Sequence, residues 1–518
     1  MSLPLVPVPR TVAETGGAPF RLHPDTPVHG DARSVAGVVA CIARRTGVAL
    51  RPADVDDADA GHPGIRIEIT ADGDPEGYRL STREGGVHVR AHDAAGAFYA
   101  VRTLEQLLRP DAAGWILPAA EIDDAPRFAY RGMMLDVARH FFPVDTVVGV
   151  LDRAASLKLN HLHLHLSDDQ GWRLALRDRP MLTAHAAASA VGGDAGGFYS
   201  REDYRTIIAA AAERHIVIVP EIDVPGHTHA VGVAYPQIAE DPVIFDHVRE
   251  TVTAFGGGLP RAGEPYTGLA VGFSSLRIDD RATDDFLADV FGELAGLTPG
   301  PYLHFGGDEA LGTDPAEYAA FVARASTLIA DLGKIPVAWH EAGVAADLHP
   351  DTVGQYWGFV RPRDGADDLA RAFAPRGGVI LSPADAVYLD MKPYDGAALG
   401  LTWADGATSL ARAYAWEPAA VIPDLHETGI LGVEAPLWTE TVRTLADIDA
   451  LAFPRLAAAA EAAWSPATGA HPDRTWESFR ARVRSLRALW DTAGIAYDAA
   501  TFDDASADKD AAPEAPRS

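Results

Sequence analysis

A chain of 518 residues is longer than a single hydrophobic core usually organises, so we expect two domains. Its 44 basic and 73 acidic residues give a net charge of -29, which disfavours nucleic acid and anionic lipid as partners. The hydrophobic content of 47% is typical of a soluble protein, and no apolar run is long enough to span a membrane.

Cysteine usage and the first residues bear on the cellular location. Cys41 is the only cysteine of the sequence, which excludes intrachain disulfides and argues against thiolate metal sites and cysteine-pair redox centres. The opening residues MSLPLVPVPR have neither a basic segment nor an uninterrupted apolar stretch, so we recognise no secretory signal in them. We therefore expect a cytoplasmic protein.

Residues 65–109 have the pattern of a compact α+β segment. Apolar side chains alternate over 65–70, a hairpin is predicted where 78–89 passes through two glycines, and 94–108 has helical spacing. This segment shows no cluster of chemistry-bearing side chains. We therefore predict an accessory α+β domain over residues 1–125.

The pattern changes after residue 125, where apolar strands begin to alternate with helical stretches. This βα repeat predicts a (β/α)8 TIM barrel over residues 126–499, and a doubly wound open sheet is the alternative. The predicted strands are 131–137, 161–167, 216–222, 302–306, 335–339, 353–357, 378–382 and 430–434.

Three further segments do not fit a simple repeat. Residues 182–200 and 230–280 are too long for βα turns, so we expect them to form loops over one end of the barrel. Residues 500–518 are mostly Asp, Ala, Pro and Ser, a composition that buries too little apolar surface to fold. We predict that they form a disordered tail.

Polar and aromatic side chains cluster directly after the predicted strands. In a TIM barrel the carboxyl ends of all strands meet at one mouth, which is where such barrels place their chemistry. We therefore expect these clusters to form one site. They are residues 136–140, 167–169, 221–223, 308–309, 339–341, 355–357, 385–390 and 438–440.

The segment His304-Phe-Gly-Gly-Asp308-Glu309 places two adjacent carboxylates after a predicted strand. Neighbours on a regular strand point to opposite faces, so both acids can serve one site only if Gly306 and Gly307 let the chain turn. Ordinary glycosidases use separate carboxylates about 5 Å or more apart, which this pair fits poorly. The pair suits substrate-assisted hydrolysis, in which Glu309 protonates the leaving oxygen and Asp308 holds an acetamido group. An exposed acidic turn is the alternative.

Several segments together resemble one known family. The segment from His304 to Glu309 is similar to the active-site signature of family 20 glycoside hydrolases, the β-N-acetylhexosaminidases. The stretches RGMMLDVARHFF (131–142), NHLHLHLSDDQGWR (160–173) and PEIDVPGHT (220–228) also resemble family segments, in the family's order. The resemblance runs from about residue 65 to about residue 490.

The resemblance implies roles for the residues that react with the substrate. Asp308 resembles the acid that orients the acetamido group, Glu309 the general acid and base, and Tyr388 the hydroxyl that donates to the acetamido oxygen. An oxazolinium-like intermediate carries positive charge beside a short acyl group, so it also needs an apolar wall. The side chains expected to form this wall are Trp339, Trp357 and Trp438.

Further residues are implied to bind the sugar or to support the acid. Arg139 resembles an arginine that grips hydroxyls of the terminal sugar, Glu440 its acceptor partner, and Asp390 a third sugar ligand. An Arg–Glu bridge across the barrel mouth is the alternative for the first two. Trp403 resembles an aromatic side chain on the leaving-group side. The residues expected behind the general acid are Asp168, His227 and Asp223.

These roles imply a retaining, exo-acting enzyme that works through an oxazolinium intermediate, with no metal and no nucleotide or redox cofactor. Its expected partner is an oligosaccharide or glycoconjugate that ends in N-acetylglucosamine or N-acetylgalactosamine. Two alternatives stay open. His161, His163 and His165 share one face of a strand and could build the metal centre of a hydrolase, and a carbohydrate-binding protein could keep the pocket without catalysis.

Overall fold

The structure, a computed structural model, describes residues 3–53 and 63–502, and its contacts divide the chain into two compact units. The first unit combines the chain up to Ala129, Ser156–Lys158 and the segment that begins at Ala457. The second consists of Tyr130–Ala155 and Leu159–Leu456. The sequence assigned residues 457–499 to the barrel domain, whereas their contacts place them in the first unit.

The first unit contains two sheets and begins with an α+β arrangement. Its amino-terminal strands and helices are β1 (Thr11–Glu14), β2 (Phe20–Leu22), β3 (Pro27–His29), α1 (Ala32–Thr46), β4 (Arg51–Pro52), β5 (Ile65–Ile69), β6 (Tyr78–Arg83), β7 (Gly86–Ala91), α2 (Ala94–Leu107), β8 (Arg109–Asp111), β9 (Gly114–Leu117) and β10 (Ala120–Asp124). Seven strands form a sheet in the order β1-β10-β6-β7-β5-β3-β4, and β2-β9-β8 form the other. Apolar side chains of α1, α2 and the larger sheet share one core, as the α+β pattern predicts.

The second unit is a closed barrel of eight parallel strands, so the TIM-barrel prediction is confirmed and the open-sheet alternative is wrong. Its strands are β11 (Tyr130–Asp136), β12 (His161–His165), β15 (Val217–Glu221), β16 (Tyr302–His304), β17 (Ile335–Trp339), β18 (Val353–Tyr356), β19 (Val379–Leu381) and β20 (Ile430–Leu437). A short hairpin of β13 (Ser167–Asp168) and β14 (Gly171–Trp172) follows β12. Each predicted strand overlaps an observed one, and β11 closes the barrel by pairing with β20.

Helices surround the barrel and also occupy the two long segments expected to be loops. The helices of the second unit are α3 (Val144–Ser156), α4 (Met181–Ala186), α5 (Arg201–Glu213), α6 (His229–Ala234), α7 (Asp246–Phe255), α8 (Arg281–Leu297), α9 (Pro315–Asp331), α10 (Ala366–Arg371), α11 (Ala384–Val387), α12 (Leu410–Tyr414) and α13 (Leu445–Ala452). The next helix, α14 (Arg455–Trp464), begins in this unit, and its residues from Ala457 belong to the first unit. Segment 182–200 contains most of α4 and a 3-10 turn, and segment 230–280 contains α7 with a small apolar core of its own. Both segments are therefore structured.

The carboxyl-terminal part of the first unit consists of α15 (Trp476–Ser485), α16 (Arg487–Thr492) and a 3-10 helix at Ala499–Phe502. Buried Glu461 explains why this part joins the first unit: Arg482 donates to both of its carboxylate oxygens at 2.7 Å, and the Val8 N–H donates to it at 3.1 Å. Phe502 is buried, so ordered chain extends into the predicted tail, and residues 503–518 lie outside the described part. Within the described ranges, no helix is long and apolar enough to cross a membrane.

Candidate active site

The residues expected from the sequence lie at the carboxyl ends of the barrel strands, which meet at one mouth. Arg139 follows β11, Asp168 lies in β13, and Asp223 and His227 follow β15. The later strands supply Asp308 and Glu309 after β16, Trp339 at the end of β17, Trp357 after β18, Tyr388, Asp390 and Trp403 after β19, and Trp438 and Glu440 after β20.

A sharp turn after β16 brings both acids of the Asp308-Glu309 pair to the same side. Gly306 and Gly307 have φ of 68° and 99°, and Glu309 itself has φ of 47°. These left-handed conformations end the alternation of a regular strand, as the two glycines predict. The acids therefore serve one site.

His227 lies between the adjacent carboxylates and Asp168. Its Nδ1 is 3.2 Å from Asp168 Oδ1, and its Nε2 is 3.5 Å from Asp308 Oδ2 and 3.3 Å from Glu309 Oε2. Burial alone would lower the pKa of His227, but the charges of Asp168 and Asp308 outweigh burial and raise this pKa well above its ordinary value. The imidazolium form thus links the three carboxylates.

Burial and the repulsion between negative charges favour the protonated forms of Asp308 and Asp223. Burial is the main cause that raises the pKa of Asp308 to about 6, and the charge of Glu309 adds to it. The pKa of Asp223 is raised well above its ordinary value by burial and by the charge of Asp308. A protonated Asp223 can donate to an ionised Asp308, so the two groups suit one shared proton.

Arg139 contacts Asp168 and Trp438 at the same mouth. Its Nη1 is 2.7 Å from Asp168 Oδ2, and its guanidinium carbon lies 4.7 Å from the ring centre of Trp438. Burial would lower the pKa of Arg139, but the charges of Asp168 and Asp136 outweigh burial and raise it. The Arg139–Glu440 bridge, which was the alternative to sugar binding, is not among the ion pairs of the described residues. Arg139 pairs with Asp168 instead.

Two further acids lie in the same pocket without strong partners. Burial raises the pKa of Glu440 to about 7 even though the charge of Arg139 lowers it. The pKa of Asp390 is raised well above its ordinary value by burial and by the charge of Glu440. Both buried carboxyl oxygens of Asp390 have no hydrogen-bond partner within the described residues. Such unpaired buried groups are costly unless a ligand supplies the missing hydrogen bonds.

Aromatic side chains at the mouth form one pair and an adjoining group of three. Trp339 is buried, and its ring centre lies 6.1 Å from that of Trp438. Trp403 lies 6.2 Å from Trp357 and 5.5 Å from Tyr388. Trp403 is 47% exposed, whereas Tyr388 is buried, so the aromatic surface continues from the pocket to its rim.

Glu221, which the sequence placed among the polar residues at the strand ends without a specific role, organises the barrel interior beneath this pocket. Its Oε1 accepts from Trp339 Nε1 at 2.9 Å and lies 3.1 Å from His304 Nδ1. Its Oε2 lies 2.5 Å from His165 Nδ1 and 3.1 Å from His163 Nε2. The charges of these histidines outweigh burial and hold the pKa of Glu221 well below its ordinary value.

The metal-centre alternative rested on the three histidines of β12, and their contacts differ. His161 stacks on Tyr130 at 3.9 Å and bonds to Asn160, away from the other two. The ring nitrogens of His163 and His165 already contact carboxylates. The atoms of His163, Glu221 and His304 that could ligate an ion lie within 4.8 Å of one another. An ion there would compete with existing hydrogen bonds.

Arg173 is a further supporting residue to which the sequence assigned no role. The buried Arg173 guanidinium donates to backbone carbonyls on both sides of the mouth. These are the carbonyls of Val137, Ala138, Ala187, Ser189 and Gly197. Arg173 lies within the family-like segment 160–173, but one sequence does not show where a guanidinium points.

Comparison with known proteins identifies the family. The family model described as glycosyl hydrolase family 20, catalytic domain, matches residues 128–317 and 313–467, and the model described as its domain 2 matches residues 2–125. A β-N-acetylhexosaminidase of Cellulomonas fimi is 41% identical over 511 residues, which is 96% of each chain.

Solved structures share the whole fold. A glycoside hydrolase family 20 β-N-acetylglucosaminidase is 56% identical with a TM-score of 0.87, covering 96% of this chain and 98% of its own. The N-acetyl-β-hexosaminidase of Streptomyces plicatus, in complex with Thio-NAglucal, is 41% identical with a TM-score of 0.85, covering 96% of both chains.

The chain therefore belongs to glycosyl hydrolase family 20. Its activity class is that of the β-N-acetylhexosaminidases, so the predicted family and enzyme class are confirmed. The individual residue roles stay predictions.

Proposed function

We propose that this enzyme releases terminal, non-reducing N-acetylhexosamine with retention of configuration, by substrate-assisted catalysis. The observation that carries the proposal is the placement of Asp308 and Glu309 at one ring nitrogen of His227, at 3.5 and 3.3 Å. Two acids on one side of the site do not flank a glycosidic bond from opposite faces, as an acid and an enzyme nucleophile do. The substrate's acetamido group supplies the missing nucleophile.

The two acids differ in exposure, which divides their roles. The Glu309 side chain is 30% exposed and can reach the leaving oxygen, whereas the Asp308 side chain is 11% exposed. In the first step the acetamido oxygen bonds to C1, the C1–O bond breaks, and Glu309 gives its proton to the leaving oxygen. Asp308 stabilises the developing charge on nitrogen, and Tyr388 donates to the acetamido oxygen. In the second step Glu309 takes a proton from water as the water oxygen bonds to C1. The bond between C1 and the acetamido oxygen breaks, which opens the oxazolinium ring.

The side chains at the barrel mouth favour exo action. Buried Trp339 and Tyr388 bound the space for the acetamido group, and the unpaired oxygens of Asp390 suit hydroxyls of the terminal sugar. The buried Arg139 guanidinium offers further donors at the same mouth. A pocket of this kind accepts one sugar at a chain end.

Related proteins support the substrate class. A variant of the Streptomyces plicatus enzyme is in complex with its product GlcNAc, and a Vibrio harveyi relative is named N,N'-diacetylchitobiase. We therefore propose terminal N-acetylglucosamine of an oligosaccharide or glycoconjugate as the substrate, with N-acetylgalactosamine as the C4 epimer to be compared.

The test compares nitrophenyl β-glycosides of N-acetylglucosamine, its N-trifluoroacetyl analogue and glucose. Substrate assistance predicts a steep loss of rate for the trifluoroacetyl sugar, whose carbonyl oxygen is a weaker nucleophile, and loss of turnover for glucose. Glu309→Gln and Asp308→Asn should each lose about 100-fold or more in kcat, the size expected for a general acid or a charge stabiliser. Equal rates for all three sugars would contradict the proposal, and inactivation by a chelator would favour the metal-centre alternative.

A further inference from the structure

Gly307, the residue directly before the Asp308-Glu309 pair, has both of its backbone polar groups held by side chains. Its N–H donates to Asp223 Oδ1 at 3.1 Å, and its carbonyl oxygen accepts from the Tyr318 hydroxyl. At φ of 99° the glycine backbone can rotate into conformations that other residues avoid. The two side chains therefore restrict the peptide from which the acidic pair projects.

Tyr318 is well placed for this task because its own position is firmly set. It lies in the first turns of α9, which begins at Pro315 and is capped by Asp314. The Asp314 carboxylate accepts from the backbone N–H groups of residues 316 and 317, so the start of the helix is ordered. The hydroxyl thus ties the Gly307 carbonyl to a helix that packs outside the barrel.

The chain between the acids and α9 offers less support of its own. Its backbone hydrogen bonds include a tight turn from Leu311 N–H to the Glu309 carbonyl and a longer bond of 3.4 Å from Thr313 N–H to the Ala310 carbonyl. Gly312 adds another left-handed residue with φ of 82°. The loop alone therefore holds Gly307 only weakly in place. The Tyr318 hydroxyl links Gly307 directly to α9.

We propose that Tyr318 is a positioning residue for catalysis: its hydroxyl holds the Gly307–Asp308 peptide and so aims Asp308 and Glu309. The inference rests on the proposed function of this pair. Burial and the charges of Glu341 and Asp308 raise the pKa of Tyr318 well above its ordinary value, so the hydroxyl keeps its proton as a donor. Without the hydroxyl, Gly307 rotates more freely and the acids lose their common orientation.

The test is Tyr318→Phe in the full chain, with Tyr204→Phe as the matched control. Tyr204 lies in α5 of the same barrel, and its buried hydroxyl bonds to Thr298 Oγ1 at 3.0 Å, so the control also removes one hydroxyl hydrogen bond. The substrates are aryl β-N-acetylglucosaminides whose phenol leaving groups differ in acidity. Rates and thermal unfolding are measured for both variants, for Glu309→Gln and for the unmodified chain.

We expect Tyr318→Phe to lower kcat roughly tenfold or more with little change in KM, because a small misplacement of catalytic groups is costly. The loss should grow as the leaving group becomes less acidic, because a misplaced Glu309 helps poor leaving groups less. Tyr204→Phe should keep the rates and the leaving-group dependence of the unmodified chain, even where its unfolding temperature falls equally. This dependence is a readout that a purely structural role does not change.

The outcomes separate this inference from the proposed function. If Glu309→Gln steepens the leaving-group dependence and Tyr318→Phe does not, the positioning role of Tyr318 is wrong and the proposed function stands. If Glu309→Gln also leaves the dependence unchanged, the proposed role of Glu309 fails. A loss in Tyr318→Phe that is equal for all leaving groups would also overturn the inference.

Discussion

The carboxylate of Asp223 occupies the space that a side chain on Gly306 would need. A β carbon at Gly306 would collide with this carboxylate, and the φ of 68° at the same residue disfavours any side chain. The same carboxylate accepts from the N–H of Gly307 at 3.1 Å. The turn that presents the acidic pair thus depends on glycine for both backbone conformation and close packing.

We expect Gly306→Ala to lose activity and stability together, because it forces Asp223 away from the turn. Gly333→Ala is the matched control, since Gly333 has φ of 75° but no atom within 4 Å of the added carbon. The control should cost about 1 kcal/mol of unfolding free energy with full activity. Measurement of kcat and of denaturant unfolding for both variants checks this. Equal effects at the two glycines would mean that backbone conformation alone matters.

Asp308→Asn should stabilise the protein at neutral pH while it removes activity. The folded pKa of Asp308 is about 6, above the ordinary 3.8, so the folded state binds more protons than the unfolded state between these values. Stability therefore falls as pH rises through this window. Asp308→Asn removes this pH-dependent loss of stability. We expect it to raise the unfolding free energy by about 1 to 3 kcal/mol at neutral pH and to change it little below about pH 4. A gain of the same size at both pH values would contradict this explanation.

Glu221→Gln should destabilise the barrel, because it leaves buried histidines without their counter-charge. We expect a loss of about 3 to 5 kcal/mol at neutral pH. Burial lowers and nearby carboxylates raise the pKa of His163 to about 9 and of His165 to about 10. Their stabilisation is complete below the ordinary histidine pKa and disappears as pH rises through about 9 to 10.

Unfolding titrations over this alkaline range measure the effect. The unmodified chain should lose stability there, and Glu221→Gln should lose less because its histidines start with lower pKa values. Glu202→Gln is the control, since Glu202 is exposed and its pair with Arg205 spans 3.4 Å. Identical pH profiles for Glu221→Gln and the unmodified chain would show that Glu221 is not the group that charges these histidines.

Arg173→Lys should weaken sugar binding as well as the fold. Lysine cannot reproduce the fork of donors that joins strand end 137–138 to segment 187–197, so we expect a loss of about 2 to 4 kcal/mol of unfolding free energy. Arg139 directly follows this strand end. We therefore expect the substitution to displace the Arg139 guanidinium and to raise KM several-fold. Arg205→Lys, at an exposed ion pair, should change neither quantity. An unchanged KM would limit Arg173 to a structural role.

The strands of the barrel could be predicted because each one carries its own local signal of apolar residues bounded by turns. The register that closes the barrel could not be predicted, since the pairing of Tyr130 with Gly432 joins residues that are far apart in the chain. The contacts that group the segment from Ala457 with the first unit could not be predicted for the same reason. Its place depends on Glu461, Arg482 and Val8, and helical periodicity contains no information about such partners.

The sequence by itself determined the βα repeat, the glycine turn with its two adjacent acids, and the family to which these motifs belong. Residue type and spacing are enough for these features because they depend on neighbours along the chain. Only the tertiary structure decided that Arg139 pairs with Asp168, that Glu221 gathers the barrel histidines, and that Tyr318 holds Gly307. Hydrogen bonds and charge effects act over a few ångströms of space, and folding alone brings those groups together.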